Sequence, residues 1–312
     1  MHETFQTTIL GSSAATPTSL RYTTAQVLQV HNKRFLLDCG EGTQMQLRRF
    51  RIPLMKINHI FISHMHGDHY LGLPGLLFTY HLLGREKEMH VYAPPGMEEI
   101  IELQYRIAQL KPSFSVCYHE LLDGGQVVYT DDRLSVETMA MDHRIPAFGF
   151  IFREKQGKRN IKKASIAKYN IPLEQMPDIK EGRDLVTADG RIIPNKEVTK
   201  GSPLPRSYAF CSDTAYTEQF LDQIKGVDML YHEATFLHDK ADIARQKTHS
   251  TTIEAATLAK KAGAGKLILG HYSARYKELE AFREEAAKVF PNTFVAKEGD
   301  VFAVIRSKHN TR

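Results

Sequence analysis

From Asn58 to His69 the sequence reads Asn-His-Ile-Phe-Ile-Ser-His-Met-His-Gly-Asp-His. The first half is an apolar run of strand length, and the last six residues hold three imidazoles and a carboxylate. Nitrogen and oxygen donors of this borderline hardness suit zinc, and after it manganese or iron(II). Side chains alternate along extended chain, so His64 and His66 point the same way. Gly67 allows a bend that turns Asp68 and His69 towards a second ion. A buried strand ending in such a loop constrains the fold strongly, because it must deliver four ligand-type residues to the edge of a sheet.

Further ligand types stand at comparable places. Asp142-His143 follows a strand ending at Met141, Asp213 follows a strand over 208–211, and His271 follows 266–270. Strand ends are where sheets commonly present functional groups. Short alternating runs at 5–10, 26–30 and 34–38 predict antiparallel hairpins. A helix over 41–50 is stopped by Pro53, and others are predicted at 76–83, from Pro94-Pro95-Gly96 to 110, at 252–262 and at 274–289. Remaining strands are expected at 114–121, 126–129, 134–141, 148–152, 229–232, 267–269 and 301–305. The stretch 153–206 has little apolar periodicity beyond one short helix at 161–169, and reads as an insertion. Strands first and a strand–helix alternation later argue α+β or α/β with two sheets.

Composition excludes several classes. Hydrophobic residues at 42% and charged residues at 25% are globular values, which rule out a disordered or collagen-like chain. No apolar run approaches the ~18 residues of a membrane span. Met1-His2-Glu3-Thr4 shows no basic region leading into an apolar stretch, so no secretory signal is expected. Cys39, Cys117 and Cys211 are too few and too widely spaced for a disulfide framework. A reduced, cytoplasmic protein is expected, with Cys39 and Cys211 as buried small hydrophobes. His31, His59, His81, His90, His119, His238 and His309 have no ligand-like company in the sequence, and the aromatic residues read as core.

Asp38-Cys39-Gly40-Glu41-Gly42-Thr43-Gln44, the His64–His69 run and Leu71-Gly72-Leu73-Pro74-Gly75 resemble the metallo-β-lactamase superfamily, and within it ribonuclease Z. Ser212-Asp213-Thr214, His232-Glu233-Ala234-Thr235, His249-Ser250-Thr251 and Leu269-Gly270-His271-Tyr272-Ser273-Ala274-Arg275-Tyr276 follow in family order over nearly the whole chain. The His-rich run alone marks the superfamily. The 38–44, 232–235 and 249–251 motifs narrow it to the endonucleases that mature the 3′ end of transfer RNA.

The resemblance implies an α/β (α+β) fold, a four-layer αββα sandwich forming one domain over 1–312, with a projecting basic arm inserted at 153–206. It implies two zinc ions per subunit, with manganese or iron(II) as substitutes. His64, His66 and His143 would hold one ion, Asp68, His69 and His271 the other, and Asp213 would bridge them. Two ions about 3.5–4 Å apart suit in-line displacement at phosphorus. They offset phosphodiester charge and bring a bridging water towards a pKa of roughly 7, so that hydroxide attacks phosphorus. Asp68 resembles the family's proton acceptor. His249 would protonate the leaving ribose 3′-oxygen, with Glu233 hydrogen-bonding its other nitrogen. Ser273 and Arg275 either hold phosphate oxygens or form a solvated helix start.

The reaction implied is a cut in 3′-extended precursor transfer RNA after the discriminator nucleotide, leaving a 3′-hydroxyl on the transfer RNA and a 5′-phosphate on the trailer. Expected partners are precursor transfer RNA and a second copy in a homodimer whose arms serve each other's sites; neither membrane nor DNA is expected. The competing reading is a small-molecule phosphodiesterase or arylsulfatase-like hydrolase of the same superfamily, which fold alone does not separate.

Family members carry an arm between the ligands matching His143 and Asp213, and it grips the elbow of transfer RNA. Residues 153–206 occupy that place. Residues 153–168 hold Arg153, Lys155, Lys158, Arg159, Lys162, Lys163 and Lys168 against Glu154 alone. The chain's formal charge is +5, and without that stretch 34 basic residues face 35 acidic ones. Dispersed cations of this kind contact phosphates without reading bases. One departure is the arm's tip, where Asn170-Ile171-Pro172-Leu173-Glu174-Gln175-Met176-Pro177-Asp178 replaces the Gly-Pro-rich run of many bacterial members.

Overall fold

A computed structural model describes residues 4–306, so the expectations for Met1 to Glu3 and for His309 lie outside the described residues. The chain forms two compact units. The first takes in the residues up to Thr130, 135–152 and the chain from Arg206 onward; the second comprises 131–134 and 153–205.

The first unit is built on two seven-stranded sheets. In one, Phe5–Gly11 lies between Val301–Ala303 and the hairpin of Ala25–Val30 with Lys33–Leu37. The strands Ile57–Phe61, Met89–Ala93 and Val116–Glu120 then add in parallel. The other sheet runs Thr293–Val295, Leu267–Gly270, Met229–Glu233 and Ser207–Cys211 in parallel, followed by Phe148–Glu154, Leu134–Ala140 and Val127–Thr130.

Each sheet buries one face under helices. Thr43–Arg49, Gly72–Leu82 and Met97–Ile107 cover the first, the last through Met97, Ile101 and Tyr105, one helical turn apart. Leu221–Ile224, Thr252–Ala262 and Glu280–Ala287 cover the second. The other faces meet: the Phe61 and Phe150 rings are 5.1 Å apart, Phe35 and Phe152 5.3 Å, and the Tyr208 hydroxyl donates to Gln26 Oε1 at 2.7 Å. Helix, sheet, sheet and helix make the four layers expected.

Parallel pairing positions the site. Cys211 is in register with His232 and Glu233 with Gly270. The C-terminal ends of three strands therefore fall on one edge, where Asp213, Glu233 and His271 stand. On the first sheet, Gly40 and Gly72 let two motif loops touch. A Cβ on Gly72 would lie 2.1 Å from the Gly40 carbonyl oxygen, and one on Gly40 would lie 2.4 Å from that of Asp68. Cys39 N–H donates to the His69 carbonyl and Gly72 N–H to that of Cys39, tying the His-rich run to residues 38–40.

The structure differs from the sequence reading in several places. Met89–Ala93 and Thr293–Val295 are strands that the pattern did not show. The His-rich run is extended only to His66, because Gly67–Tyr70 is a helical turn. The helix predicted from 274 begins at Glu280, and Tyr272–Ser273 instead pairs in parallel with Ser13–Ala14. Residues 153–206 hold far more than one helix.

That second unit contains the helices Lys163–Tyr169, Met176–Glu181 and Asn195–Val198. Asn160–Ile161 pairs with Thr199–Lys200, and Leu185–Val186 with Ile192–Ile193. Its core is Ile171, Ile179, Leu185 and Val198. Asn195 locks it by donating Nδ2–H to the Ile179 carbonyl at 2.7 Å and the Arg183 carbonyl at 2.6 Å. In the tip sequence, Leu173–Gln175 is a 3-10 turn and Pro177 sits in the first turn of the helix that follows, where no amide hydrogen is needed.

Candidate metal centre and active site

His64 follows a strand buried on both faces, and the turn Gly67–Tyr70 rotates Asp68 and His69 back beneath it. The structure brings all seven expected ligands together. Donor atoms of His64, His66, His143 and Asp213 lie within 4.8 Å of one another, as do those of Asp68, His69 and His271. Asp213 joins the groups: Oδ2 is 3.7 Å from His64 Nε2, and Oδ1 is 3.2 Å from His271 Nε2 and 3.5 Å from His69 Nε2. Asp68 Oδ2 lies 3.4 Å from both His69 Nε2 and His271 Nε2, and accepts the Ala15 N–H at 2.7 Å.

These residues fit divalent cations. His69 Nε2 and Asp213 Oδ1 are buried with no hydrogen-bond partner, a costly arrangement unless a cation lies between such atoms. Burial holds the His64, His66 and His143 rings below the usual histidine range, and neighbouring imidazoles add to it, which keeps them neutral as ligands. Burial works against ionisation of Asp213 and Asp68. The nearby histidines override it and hold both carboxyls well below the usual range, His271 leading for Asp213 and His69 for Asp68.

The far nitrogens of the rings are tethered. His69 Nδ1 is 2.8 Å from Asp38 Oδ2, and Asp38 also takes the Ser63 N–H at 2.7 Å and its hydroxyl at 3.0 Å. Ser63 Oγ is 3.0 Å from His64 Nδ1 and accepts from the Ser212 hydroxyl. His271 Nδ1 faces Thr235 Oγ1 at 2.9 Å, and His143 Nδ1 faces the Thr248 carbonyl at 2.9 Å. Such partners fix ring orientation and tautomer. Asp38, Ser63, Thr235 and Thr248 were not singled out for this from the sequence, although Asp38 opens the 38–44 motif and Thr235 closes the 232–235 motif. Asp38 and His271 both have left-handed backbone, with φ of 55° and 60°.

His249 Nδ1 is 2.9 Å from Glu233 Oε1 and 3.9 Å from Asp213 Oδ2. Burial lowers the His249 pKa, but the Glu233 carboxylate outweighs it and raises the value to about 9. Glu233 also takes N–H bonds from Thr214, Thr235 and Ser250. His232 is buried with Nδ1 on the Glu233 carbonyl and takes no part in the centre. Thr251 begins the helix Thr252–Ala262 through a capping box with Glu254, which fixes the backbone just after His249.

A cleft of about 340 Å³ opens over the centre, lined by Ala15, Pro17, Thr23, Glu41, His66, Asp68, Leu71, Arg144, Asp213, His249 and His271. Arg144 was not foreseen as part of this wall. Ser273 and Arg275 lie outside it: Arg275 Nε donates to Ser273 Oγ at 3.0 Å, and its guanidinium sits 5.0 Å over the Phe236 ring. Neither belongs to a helix start.

In the second unit, Lys158 pairs with Glu181 at 3.0 Å, Arg159 donates to Thr199 Oγ1, and Lys162 donates to the Lys196 and Glu197 carbonyls. Lys155 reaches the Asp131 carbonyl. Arg153 is half-buried, and Lys163 and Lys168 are exposed on the helix Lys163–Tyr169. Part of the basic stretch thus holds the unit itself together.

The sequence model of a family described as "Anti-Pycsar protein Apyc1" matches residues 5–156. Ribonuclease Z of Bacteroides fragilis (strain YCH46) is 43% identical over 298 residues, covering 95% of this chain and 98% of its own. Ribonuclease Z of Cytophaga hutchinsonii is 43% identical over 302 residues, covering 96% of each. Among solved structures, human tRNase Z, short form, matches with a TM-score of 0.70 at 26% identity, over 96% of this chain and 99% of that one. The metallo-β-lactamase fold protein YhfI from Bacillus subtilis matches with a TM-score of 0.69 at 18% identity, over 96% and 99%.

Proposed function

This chain belongs to the ribonuclease Z family of the metallo-β-lactamase superfamily, and from that premise we propose that it is the endoribonuclease that processes the 3′ end of transfer RNA. It cuts 3′-extended precursor after the discriminator nucleotide, leaving a 3′-hydroxyl on the transfer RNA and a 5′-phosphate on the trailer. The observation that carries this reading is the convergence of six His and Asp side chains around Asp213, with the charged His249–Glu233 pair beside them.

The cofactor proposed is two zinc ions, one on His64, His66 and His143, the other on Asp68, His69 and His271, with Asp213 shared. When bound, such ions supply Lewis acidity, offsetting phosphodiester charge and acidifying water. The protein's own groups do the rest. Asp38, Ser63, Thr235 and Thr248 hold the rings in place. Asp68 accepts a proton at Oδ2. His249, whose Nδ1 is held by Glu233, gives the proton on Nε2 to the departing ribose 3′-oxygen, which is a poor leaving group without it. A ring kept charged by Glu233 is an acid rather than a ligand, although its donor atom lies within 4.8 Å of those of Asp213 and His271.

Residues 153–205 form the RNA-binding arm in this reading, with Lys163 and Lys168 presenting charge to phosphates and Arg153, Lys155, Lys158, Arg159 and Lys162 contributing field from positions that also serve the arm's own fold. Ser273 and Arg275 hold a phosphate beyond the cleft. The working form is a homodimer. The test against a small-molecule phosphodiesterase is the ratio of kcat/KM on precursor transfer RNA to that on bis(p-nitrophenyl) phosphate. A large excess for RNA supports the proposal, and comparable values refute it.

A further inference from the structure

Met89–Ala93 and Val116–Glu120 run in parallel at the edge of the first sheet, in a register that sets His90 beside Cys117 and Tyr92 beside His119. Glu88 immediately precedes the first strand, and its Oε1 lies 3.3 Å from His90 Nε2. A Glu88 oxygen, a His90 nitrogen and Cys117 Sγ all lie within 4.8 Å of one another. Glu88 is exposed and the other two are half-buried, so the group is reachable from solvent. We propose that this sheet edge is a further metal site, separate from the His/Asp centre, and that Glu88, His90 and Cys117 take one borderline divalent cation there, zinc before others.

The donor chemistry selects the cation. A thiolate, an imidazole and a carboxylate are the three ligand classes of zinc, and three protein ligands leave a fourth position for water. The thiolate disfavours magnesium and calcium, which take oxygen. His90 is held as a metal-binding imidazole should be. Its Nδ1 is 3.1 Å from His119 Nε2, so with Nε2 turned to the cation the Nδ1–H donates to His119 and fixes the tautomer. The rings are braced on both sides, His59 stacking on His90 at 4.8 Å and Tyr92 on His119 at 4.4 Å. Ser115 Oγ donates to Glu88 Oε2, leaving Oε1 for the ion. Binding replaces the thiol proton, which leaves to solvent as the Cys117 S–metal bond forms. A plain surface pair of Glu88 with His90 calls for neither the opposed thiol nor the imidazole behind.

Cobalt(II) titrated into the purified enzyme tests this. Every ligand of the other centre is nitrogen or oxygen, and Cys39 and Cys211 are buried, so thiolate-to-cobalt charge-transfer absorption reports this site alone. The band should saturate with one equivalent per chain beyond the two that fill the His/Asp centre, and be erased by zinc. It should be absent in Cys117→Ser, whose precursor cleavage matches wild type. His119→Phe should need roughly tenfold more cobalt. A band that survives in Cys117→Ser, or no band in wild type when cobalt supports full cleavage activity, overturns the proposal.

Discussion

Glu233 Oε1 sits 2.9 Å from His249 Nδ1, and this contact sets both the charge and the orientation of the imidazole. Glu233 is wholly buried and is supplied with three backbone N–H donors, which stabilise its ionised form. An ionised carboxylate against one ring nitrogen keeps the ring protonated and leaves Nε2 for the substrate. In the proposed mechanism this pair delivers the proton.

Replacing His249 by Ala should lower the rate on precursor transfer RNA by about 10²–10⁴-fold, the range of general acid catalysis. On a p-nitrophenyl phosphodiester, whose leaving group needs no proton, the loss should be small. Parallel single-turnover rates on the two substrates check this, and equal losses would remove the general-acid role.

The pH profile follows from the same contact. Because the His249 pKa is raised from 6.5 to about 9, the acid form persists through neutrality and cleavage should fall only as pH rises through about 9. The sign for stability is the same: the pairing stabilises the fold fully below pH 6.5 and loses that contribution as pH rises through about 9. Glu233→Gln should shift the alkaline fall in rate to lower pH, and an unmoved profile would show that Glu233 does not hold the charge.

Metal removal should destabilise the protein, since His69 Nε2 and Asp213 Oδ1 are then buried without a hydrogen-bond partner. Restoring zinc at about a hundredfold over its Kd should return roughly 2.7 kcal/mol for each ion bound, read as a rise in Tm. Asp38 touches no cation directly in this arrangement, yet it holds His69 Nδ1 at 2.8 Å. Asp38→Asn should therefore weaken metal affinity by about 10–100-fold. Competition with a chelator measures it, and an unchanged affinity would argue against the orienting role.

Much of this site could be read along the chain because its candidate ligands are locally dense or end apolar strands: His64, His66, Asp68 and His69 fall within six consecutive residues, while Asp213 and His271 follow buried runs. Asp38 was harder, because its role depends on Gly40 and Gly72 pressing two distant loops together. His90, Cys117 and His119 showed no company in sequence because parallel register, not spacing, brings them together. The helix expected from 274 starts late because Tyr272–Ser273 is committed to pairing with Ser13–Ala14. The arm read as irregular because its core is only four residues set far apart: Ile171, Ile179, Leu185 and Val198.

The role proposed for the arm predicts that binding and chemistry can be separated. Lys163→Glu with Lys168→Glu should raise KM for precursor transfer RNA about tenfold or more and flatten its salt dependence, since each phosphate contact contributes to the slope. Hydrolysis of a p-nitrophenyl phosphodiester should not change. Steady-state kinetics at several salt concentrations decide it, and a matching loss on the small substrate would place these lysines elsewhere in the account.

The most direct measurement is the mapping, at single-nucleotide resolution, of the cut made in a 3′-extended precursor transfer RNA, with and without chelator. The expected result is one cut after the discriminator nucleotide, with a 3′-hydroxyl on the transfer RNA and a 5′-phosphate on the trailer, abolished by chelator and restored by zinc. No cut there, or a cut indifferent to chelator, would contradict it.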